Sequence, residues 1–384
     1  MAGGVVRDLL LERPVRDVDL VVEGDAIRFS KRLAEELGAA VRTHGRFGTA
    51  TLTLPGGESL DLAGSRRETY ARPGALPEVS PAASIEEDLA RRDFPINAMA
   101  LEIAPGRRLV DPHGGRADLA RAEIRFLHPS SPFDDPTRAF RAVRYANRLD
   151  FRVAPEARRE IAAAVAAGAV SEVSGDRIRR EIALILSEPG RGRTVRALER
   201  LGLAAAVAPE LAGPGSGARV AAAERIGREF GNLGWLCYFF TWMGPIGSGG
   251  LERIADRLAF AGRERRALFG WRDLRESLAA GASPRSPAEI SRALRARSPD
   301  EVVAVAAEWR APERQTLLRA FAVSREIRLS IRGSDLVAAG VAPGPGIGRA
   351  LAATLAAREE GRISSAQELA FAVGLARETR REGR

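Results

Sequence analysis

Cysteine is almost missing from this chain of 384 residues, where Cys237 stands alone. One thiol closes no internal disulfide and builds no cysteine-based zinc site, so nothing points to an oxidising compartment. Histidine is nearly as scarce. His44, His113 and His128 lie far apart, which argues against a histidine-rich metal centre. No apolar run nears the roughly 20 residues of a membrane span. The start, MAGGVVRDLL, lacks the basic, apolar and small-residue segments of a secretory signal. The expectation is a cytoplasmic protein with no membrane partner. Lysine is the last gap: Lys31 is the only one, so arginine carries almost all the positive charge.

What remains is ordinary for a globular protein, with 45% hydrophobic and 28% charged residues. The length suits two or three packed units. A formal net charge of +9 favours polyanionic partners. An arginine skew of this kind also accompanies GC-rich coding, so charge alone decides nothing.

The texture changes along the chain. Residues 17–22 (DVDLVV) and 50–54 (ATLTL) read as strands, and 99–103 (MALEI) as a weaker one. Residues 26–37 (AIRFSKRLAEEL) have helical spacing and stop at Gly38, a natural C-cap. After about residue 130 the sequence turns into Ala/Leu/Arg segments of helical period. Loops there are marked by GPGSG at 213–217, GPIGSGG at 244–250 and PGPG at 343–346. The reading is an α/β head followed by a helical body, with no fixed repeat.

Chemistry concentrates in the head. Gly3-Gly4-Val5-Val6-Arg7-Asp8 precedes Asp17-Val18-Asp19. Residues two apart on a strand share a face, so Asp17 and Asp19 project together as ligands for hard divalent metals. Paired Mg²⁺ ions stabilise both the attacking and leaving oxygens of an in-line nucleotidyl transfer. The twin glycines let backbone N–H groups approach phosphate. An Asp-x-Asp pair alone is usually two surface carboxylates; the GGxVRD context makes it specific.

The run GGVVRDLLLERPVRDVDLVV resembles the opening motif of the class II tRNA nucleotidyltransferase (CCA-adding enzyme) and bacterial poly(A) polymerase family, within the polymerase-β-like superfamily. RRDFPINAMA at 91–100 resembles its ribose-recognition motif, LVDPHGGRADL at 109–119 its next signature, and DDPTRAFRAVR at 134–144 its base-templating motif. SGDRIRREI at 174–182 and SDLVAAGVAPGPGIG at 334–348 also fit.

The resemblance implies an α+β fold. A small nucleotidyltransferase head with a mixed sheet, at 1–129, precedes an elongated all-α neck (130–200), body (201–288) and tail (289–384), the last two binding tRNA. It implies addition of CCA, or of its terminal A, to tRNA from CTP and ATP by a two-metal Mg²⁺ mechanism. Asp17 and Asp19 would bind the metals, and Gly4 and Arg7 the triphosphate. Arg92 would bind nucleotide, with Asp93 and Asn97 near the ribose. Asp135, Arg138, Arg141 and Arg144 would line the base and phosphate pocket. The macromolecular partner would be the acceptor–TψC half of tRNA, and an A-adding specialist would work beside a separate CC-adding enzyme. An A-adding enzyme, a poly(A) polymerase and a non-catalytic RNA-binding relative all stay open.

Chemistry gives the base pocket independent sense. A carboxylate accepts from the exocyclic amine of cytosine or adenine, while a guanidinium donates to the neighbouring ring acceptor. An Asp135/Arg138 pair would therefore read C or A and reject U and G. At helical pitch Arg138, Arg141, Arg144 and Arg148 fall within about a 120° arc, opposite Ala139, Ala142, Val143, Ala146 and Leu149. Pro136 suits a first turn. Residues 66–89, with four Pro/Gly breakers and no sustained period, read as a linker; in the family this place holds a flexible loop needed for the final A. His113 and the Trp235–Trp242 aromatics read as structural. The clusters Arg263–Arg266 and Arg377–Arg384 are candidates for phosphate contacts.

Three departures from the family pattern stand out. Asp134 replaces a glutamate and Pro95 a threonine. The family also has a helix and a strand ahead of the twin glycines, so a late-assigned start is expected, with an unpaired sheet edge and a weakly anchored glycine turn. Asp17→Asn is expected to abolish nucleotide incorporation while circular dichroism and melting stay unchanged; retained incorporation would remove Asp17 from the metal site.

Overall fold

A computed structural model describes residues 1–381 apart from 16, 17, 46, 47, 73, 104, 105, 232, 280–286 and 296. The chain divides into two compact units. One comprises Met1–Ala212 with Asp256–Ala259, the other Gly213–Ala255 with Phe260–Arg384.

In the first unit, helix α1 (Gly4–Leu10) leads to strand β1 (Val18–Val22) and helix α2 (Ala26–Leu37). Strands β2 (Ala40–His44), β3 (Thr49–Thr53) and β4 (Ser59–Gly64) follow. They form a four-stranded mixed sheet in the order β1-β4-β3-β2. Only β1 and β4 run parallel, with Asp19 opposite Asp61. Helix α2 forms where its spacing predicts. Asp25 caps it by accepting from the Arg28 amide at 2.9 Å, and Gly38 ends it at φ 63°, a left-handed angle that favours glycine. Its inward face closes on the sheet through Ala34, packed with buried Leu52 and Leu62.

The segment read as a linker contains regular structure. Strands β5 (Arg66–Thr69) and β6 (Glu78–Pro81) pair antiparallel, and helix α3 (Ile85–Ala90) follows. Their sequences, RRET and EVSP, carry no apolar alternation because the half-buried side of β5 is the charged pair Arg66 and Glu68 and β6 is exposed throughout. Pattern reading has nothing to detect in such a hairpin.

The expected weak anchoring of the glycine turn does not occur. Ala2 donates to Asp19 O at 3.1 Å and Gly3 to Met99 O at 2.9 Å, while Leu101 donates to Met1 O at 2.8 Å. Residues 1–3 thereby tie β1 to the short pair β7 (Ala100–Leu101) and β8 (Leu109–Val110). Helix α4 (Gly115–Arg121) and strand β9 (Glu123–Ile124) complete this part.

Helices then dominate. Helix α5 (Ser131–Asp134) precedes α6 (Thr137–Leu149), which carries the arginine series. Strand β10 (Arg152–Val153) pairs with β9. Helices α7 (Pro155–Ala166), α8 (Gly175–Ser187), α9 (Arg191–Arg200) and α10 (Leu203–Val207) follow. Helix α6 packs on α8 and α9. Both of its sides are enclosed: Ala139, Phe140, Ala142 and Val143 are buried, and so are Arg138 and Arg144. The arginine face is therefore no solvated stripe.

The second unit is helical among its described residues. Its aromatic cluster is core, as expected: Tyr238, Phe239, Phe240 and Trp242 are buried, and Phe240 stacks on Trp271 at 5.3 Å. Near the C-terminus Glu368, also buried, accepts from Arg358 at 2.8 Å and from the Ser330 amide at 2.7 Å. Arg263 and Arg266 are exposed. Residues 382–384 of the last basic cluster lie outside the described residues. Among the described residues no helix is long and apolar enough to cross a membrane.

Leu62 is 1% exposed and faces α2 from the strand that carries Asp61. Leu62→Ala is expected to lower unfolding free energy by about 2–5 kcal/mol in guanidinium titrations. A loss below about 1 kcal/mol would mean that this face repacks without a cavity.

Candidate active site

Helix α1 starts on Gly3, which holds φ 83°. A Cβ at that position would lie 2.2 Å from Arg92 Nη1, so the angle is what calls for glycine here, and a side chain would also displace the end of Arg92. Arg7, one turn along, is buried. It clamps Asp8 through Nε and Nη2, both at 2.8 Å, and donates through Nη1 to Asn97 Oδ1 at 2.6 Å.

Asn97 closes a 3₁₀ turn at Pro95–Asn97. Its amide donates to Asp93 Oδ1 at 3.0 Å, and that oxygen also accepts from the Phe94 amide at 2.9 Å. The other Asp93 oxygen accepts from Arg141 Nε at 2.8 Å. A continuous chain thus runs Arg7–Asn97–Asp93–Arg141, from α1 to α6. Burial pushes the Asp93 carboxyl up, but the Arg141 guanidinium and the Asn97 bond outweigh it and hold it below the usual range. Burial likewise opposes charge on Arg141, and Asp93 overrides it, raising that guanidinium above its ordinary value.

Pro95 leaves the turn intact because the bonds come from its neighbours. The residue before a proline is confined to extended backbone, and Phe94 adopts φ −135°, ψ 146°. Asp88 fixes the preceding arginines: it is buried and accepts from Arg91 at 2.8 Å and Arg92 at 3.0 Å. Burial alone would raise the Asp88 carboxyl; Arg91 and Arg92 together bring it below its ordinary value.

At the far end Asp135 stands ahead of Pro136 and caps α6. Its Oδ1 accepts from the Thr137 amide at 3.0 Å, the Thr137 hydroxyl at 2.7 Å and Arg177 at 2.8 Å. Arg138 is buried. It donates to Ser131 Oγ at 2.7 Å, Arg91 O at 2.9 Å and the Tyr70 hydroxyl at 3.2 Å. The hairpin and α8 therefore both brace this pair. The Gly74 amide donates to Asp134 O at 3.3 Å, and Arg177 reaches Gly74 O at 2.8 Å.

These groups line one open cavity of about 830 Å³. It gathers Gly4, Arg7, Asp19, Arg92, Asp93, Asn97, Asp135, Arg138 and Arg141. Of the residues picked from sequence, Arg144 is not in this lining; it turns toward Glu188 at 3.2 Å and Glu181 at 3.6 Å. Asp17 lies outside the described residues. A second cleft, about 800 Å³, meets the first at Gly4, Arg7 and Asp19 and extends past Arg13, Arg148 and Arg193.

The family described as Poly A polymerase head domain matches residues 1–125. The one described as Probable RNA and SrmB- binding site of polymerase A matches residues 150–213. A CC-adding tRNA nucleotidyltransferase from Deinococcus radiodurans is 34% identical over 96% of this chain and 86% of its own length. The chain belongs to the tRNA nucleotidyltransferase and poly(A) polymerase family. An A-adding tRNA nucleotidyltransferase from Geobacter sulfurreducens is 33% identical over 97% of this chain. The chain spans 44% of that relative's length. The fold is similar to that of a Thermotoga maritima CCA-adding enzyme complexed with tRNA, with a TM-score of 0.79, 26% identity, and coverage of 98% of this chain and 90% of that one.

Members of this family generally use divalent metals. The donor set here suits a hard cation. Asp19 and Asp61 are register partners on adjacent parallel strands, so their side chains share a face, and both line the cavity. The lining contains no histidine or cysteine, and carboxylate oxygens completed by phosphate and water are the donors Mg²⁺ prefers.

Sequence reasoning passed over Asp61, Tyr70, Asp88, Tyr145, Arg177 and Glu181. Arg177 and Glu181 lie in the quoted SGDRIRREI run, which marked the place without a role. Asp61 leaves only a faint signal, a carboxylate in the strand pattern SLDLAG. Nothing local marks Tyr70 or Asp88.

Because the Asp93 carboxyl is held low, its contribution is present above the ordinary carboxylate range and is lost as pH falls through its folded value. Asp93→Asn is expected to cost about 2–3 kcal/mol at pH 7. The gap to the parent should narrow below about pH 4. Urea titrations across pH check this; a gap independent of pH would remove the ion pair as its cause.

Proposed function

We propose that the chain extends the 3′ end of tRNA with nucleotides from CTP and ATP, completing CCA or adding its terminal A. One observation carries this reading. A single cavity gathers paired strand carboxylates, an Asp/Arg pair and the chain Arg7–Asn97–Asp93–Arg141.

In this reading the base lies against Asp135 and Arg138. All three bonds to Asp135 use Oδ1, which leaves Oδ2 for the exocyclic amine shared by cytosine and adenine. Arg138 donates to the ring acceptor beside it. Asp93 and Asn97 meet the ribose, while Arg7, Arg92 and Arg141 take the triphosphate, and Gly4 leaves room for it. Asp19 and Asp61, with Asp17, would hold Mg²⁺, which would supply charge neutralisation for the phosphates and lower the cost of ionising the 3′-hydroxyl. The 3′-hydroxyl passes its proton to solvent water as its oxygen bonds the α-phosphorus, the bond from that phosphorus to the β-phosphate oxygen breaks, and pyrophosphate leaves. The RNA end reaches Asp19 through the second cleft, while residues 201–384 grip tRNA through backbone contacts.

The full β5–β6 hairpin, with Tyr70 against Arg138, supports CCA or A addition. Similarity to the Deinococcus protein along nearly the whole chain favours CC addition as the second reading. Three tRNA transcripts, ending before CCA, in CC and in CCA, incubated with labelled CTP or ATP, separate the cases. C, C and A in order mean the complete reaction, and A on the CC end alone means an A-adding enzyme. Two C residues and a stop mean the second reading, and long A tails a poly(A) polymerase. Incorporation of nothing would overturn the proposal. Asp19→Asn and Asp61→Asn are expected to lower incorporation by roughly 10²–10³-fold, with melting unchanged.

A further inference from the structure

One side chain in this cavity has no part in the reading above. Tyr145 lies on α6, inside the same helical arc as the arginines. Guanidinium carbons of four arginines lie over its ring: Arg7 at 5.2 Å, Arg144 at 5.3 Å, Arg148 at 5.4 Å and Arg141 at 5.6 Å from the centroid. Three come from its own helix; Arg7 comes from α1. Phe94 packs edge-on against it at 5.7 Å, which holds the ring in place.

The geometry points to Tyr145 as the positioning residue of the triphosphate-binding arginines. Four like charges drawn to one spot repel one another. Carboxylates and the Asn97 amide oxygen hold these guanidiniums by their N–H edges: Asp8 and Asn97 for Arg7, Asp93 for Arg141, Glu188 for Arg144 and Arg148. An incoming triphosphate needs the N–H groups of Arg7 and Arg141, the two of the four that line the cavity. The ring attracts a cation through its negative π face and uses none of the donors. It is therefore the contact the arginines keep when they exchange carboxylate for phosphate. Arg7 and Arg141 line the first cavity, and Arg7 and Arg148 the second cleft, so one ring sets guanidiniums facing both. Glu181 lies near two of them at looser range, 3.6 Å from Arg144 and 3.9 Å from Arg141.

This inference rests on the nucleotidyltransferase reading, and its test separates the two. In the full chain, Tyr145→Phe is compared with replacement by mono-, di- and trifluorinated phenylalanine, which keeps ring size nearly constant while draining the negative face. The expected result is Tyr145→Phe within about twofold of the parent, then a stepwise rise in KM for ATP reaching roughly 5–20-fold. Values of kcat should stay within about twofold and melting temperature should not move. Tyr145→Leu, which removes the ring, should raise KM at least as far. A flat KM across the fluorinated series in an active protein would overturn the role of Tyr145 and leave the reaction standing. A fall in kcat that tracks a falling melting temperature would also overturn it, as ordinary packing. A parent protein that neither adds nucleotides nor binds Mg·ATP would overturn both.

Discussion

The buried Asp93 carboxylate is the contact on which the rest of this site depends. Arginines offer themselves from α1, from the RRD segment and from α6, and several are enclosed rather than solvated. Burying a guanidinium without a partner costs several kcal/mol. Asp93 answers that cost for Arg141 directly and, through Asn97, orders Arg7. Asp88 does the same for Arg91 and Arg92. The head and the arginine helix are thereby joined by charge-assisted bonds with defined directions, where apolar packing alone would allow sliding.

The same arrangement orders the cavity before any ligand enters it. Arg7, Arg91, Arg92 and Arg141 are matched by carboxylates or the Asn97 amide oxygen and Arg138 by two hydroxyls and a backbone carbonyl, so the cavity is ordered without being strongly cationic. Donors aimed at one region in advance need little reorganisation when charge appears there. The carboxylates of β1 and β4 join the same cavity, where sheet register brings Asp19 beside Asp61.

Much of this was legible before any coordinates. Helix α2 ran between the expected residues because its cap, its periodicity and Gly38 all agreed. The arginine helix began at Thr137, with Pro136 at its cap, one residue outside the first turn where the sequence placed it. The β5–β6 hairpin was missed because charged or exposed strands carry no apolar alternation. Arg144 illustrates a different limit. A helical projection grouped it with Arg138 and Arg141, but could not say that Glu181 and Glu188 of α8 and its end would draw it away from the cavity. The anchoring of Gly3 by Met99 was hidden for the same reason, since the two lie far apart in sequence.

Residue spacing by itself determined the family resemblance, the mixed head followed by helices, and most of the chemistry-bearing side chains. Spacing is enough there because strand and helix periods are local, and a motif records which groups must face one way. Only the tertiary structure decided which groups share a cavity: Asp61 with Asp19, Tyr70 with Arg138, Arg177 with Asp135, and one tyrosine ring with four arginines. Those pairings are made by packing between distant elements, where a hydrogen bond or ion pair depends on positions within a fraction of an ångström that no local pattern encodes.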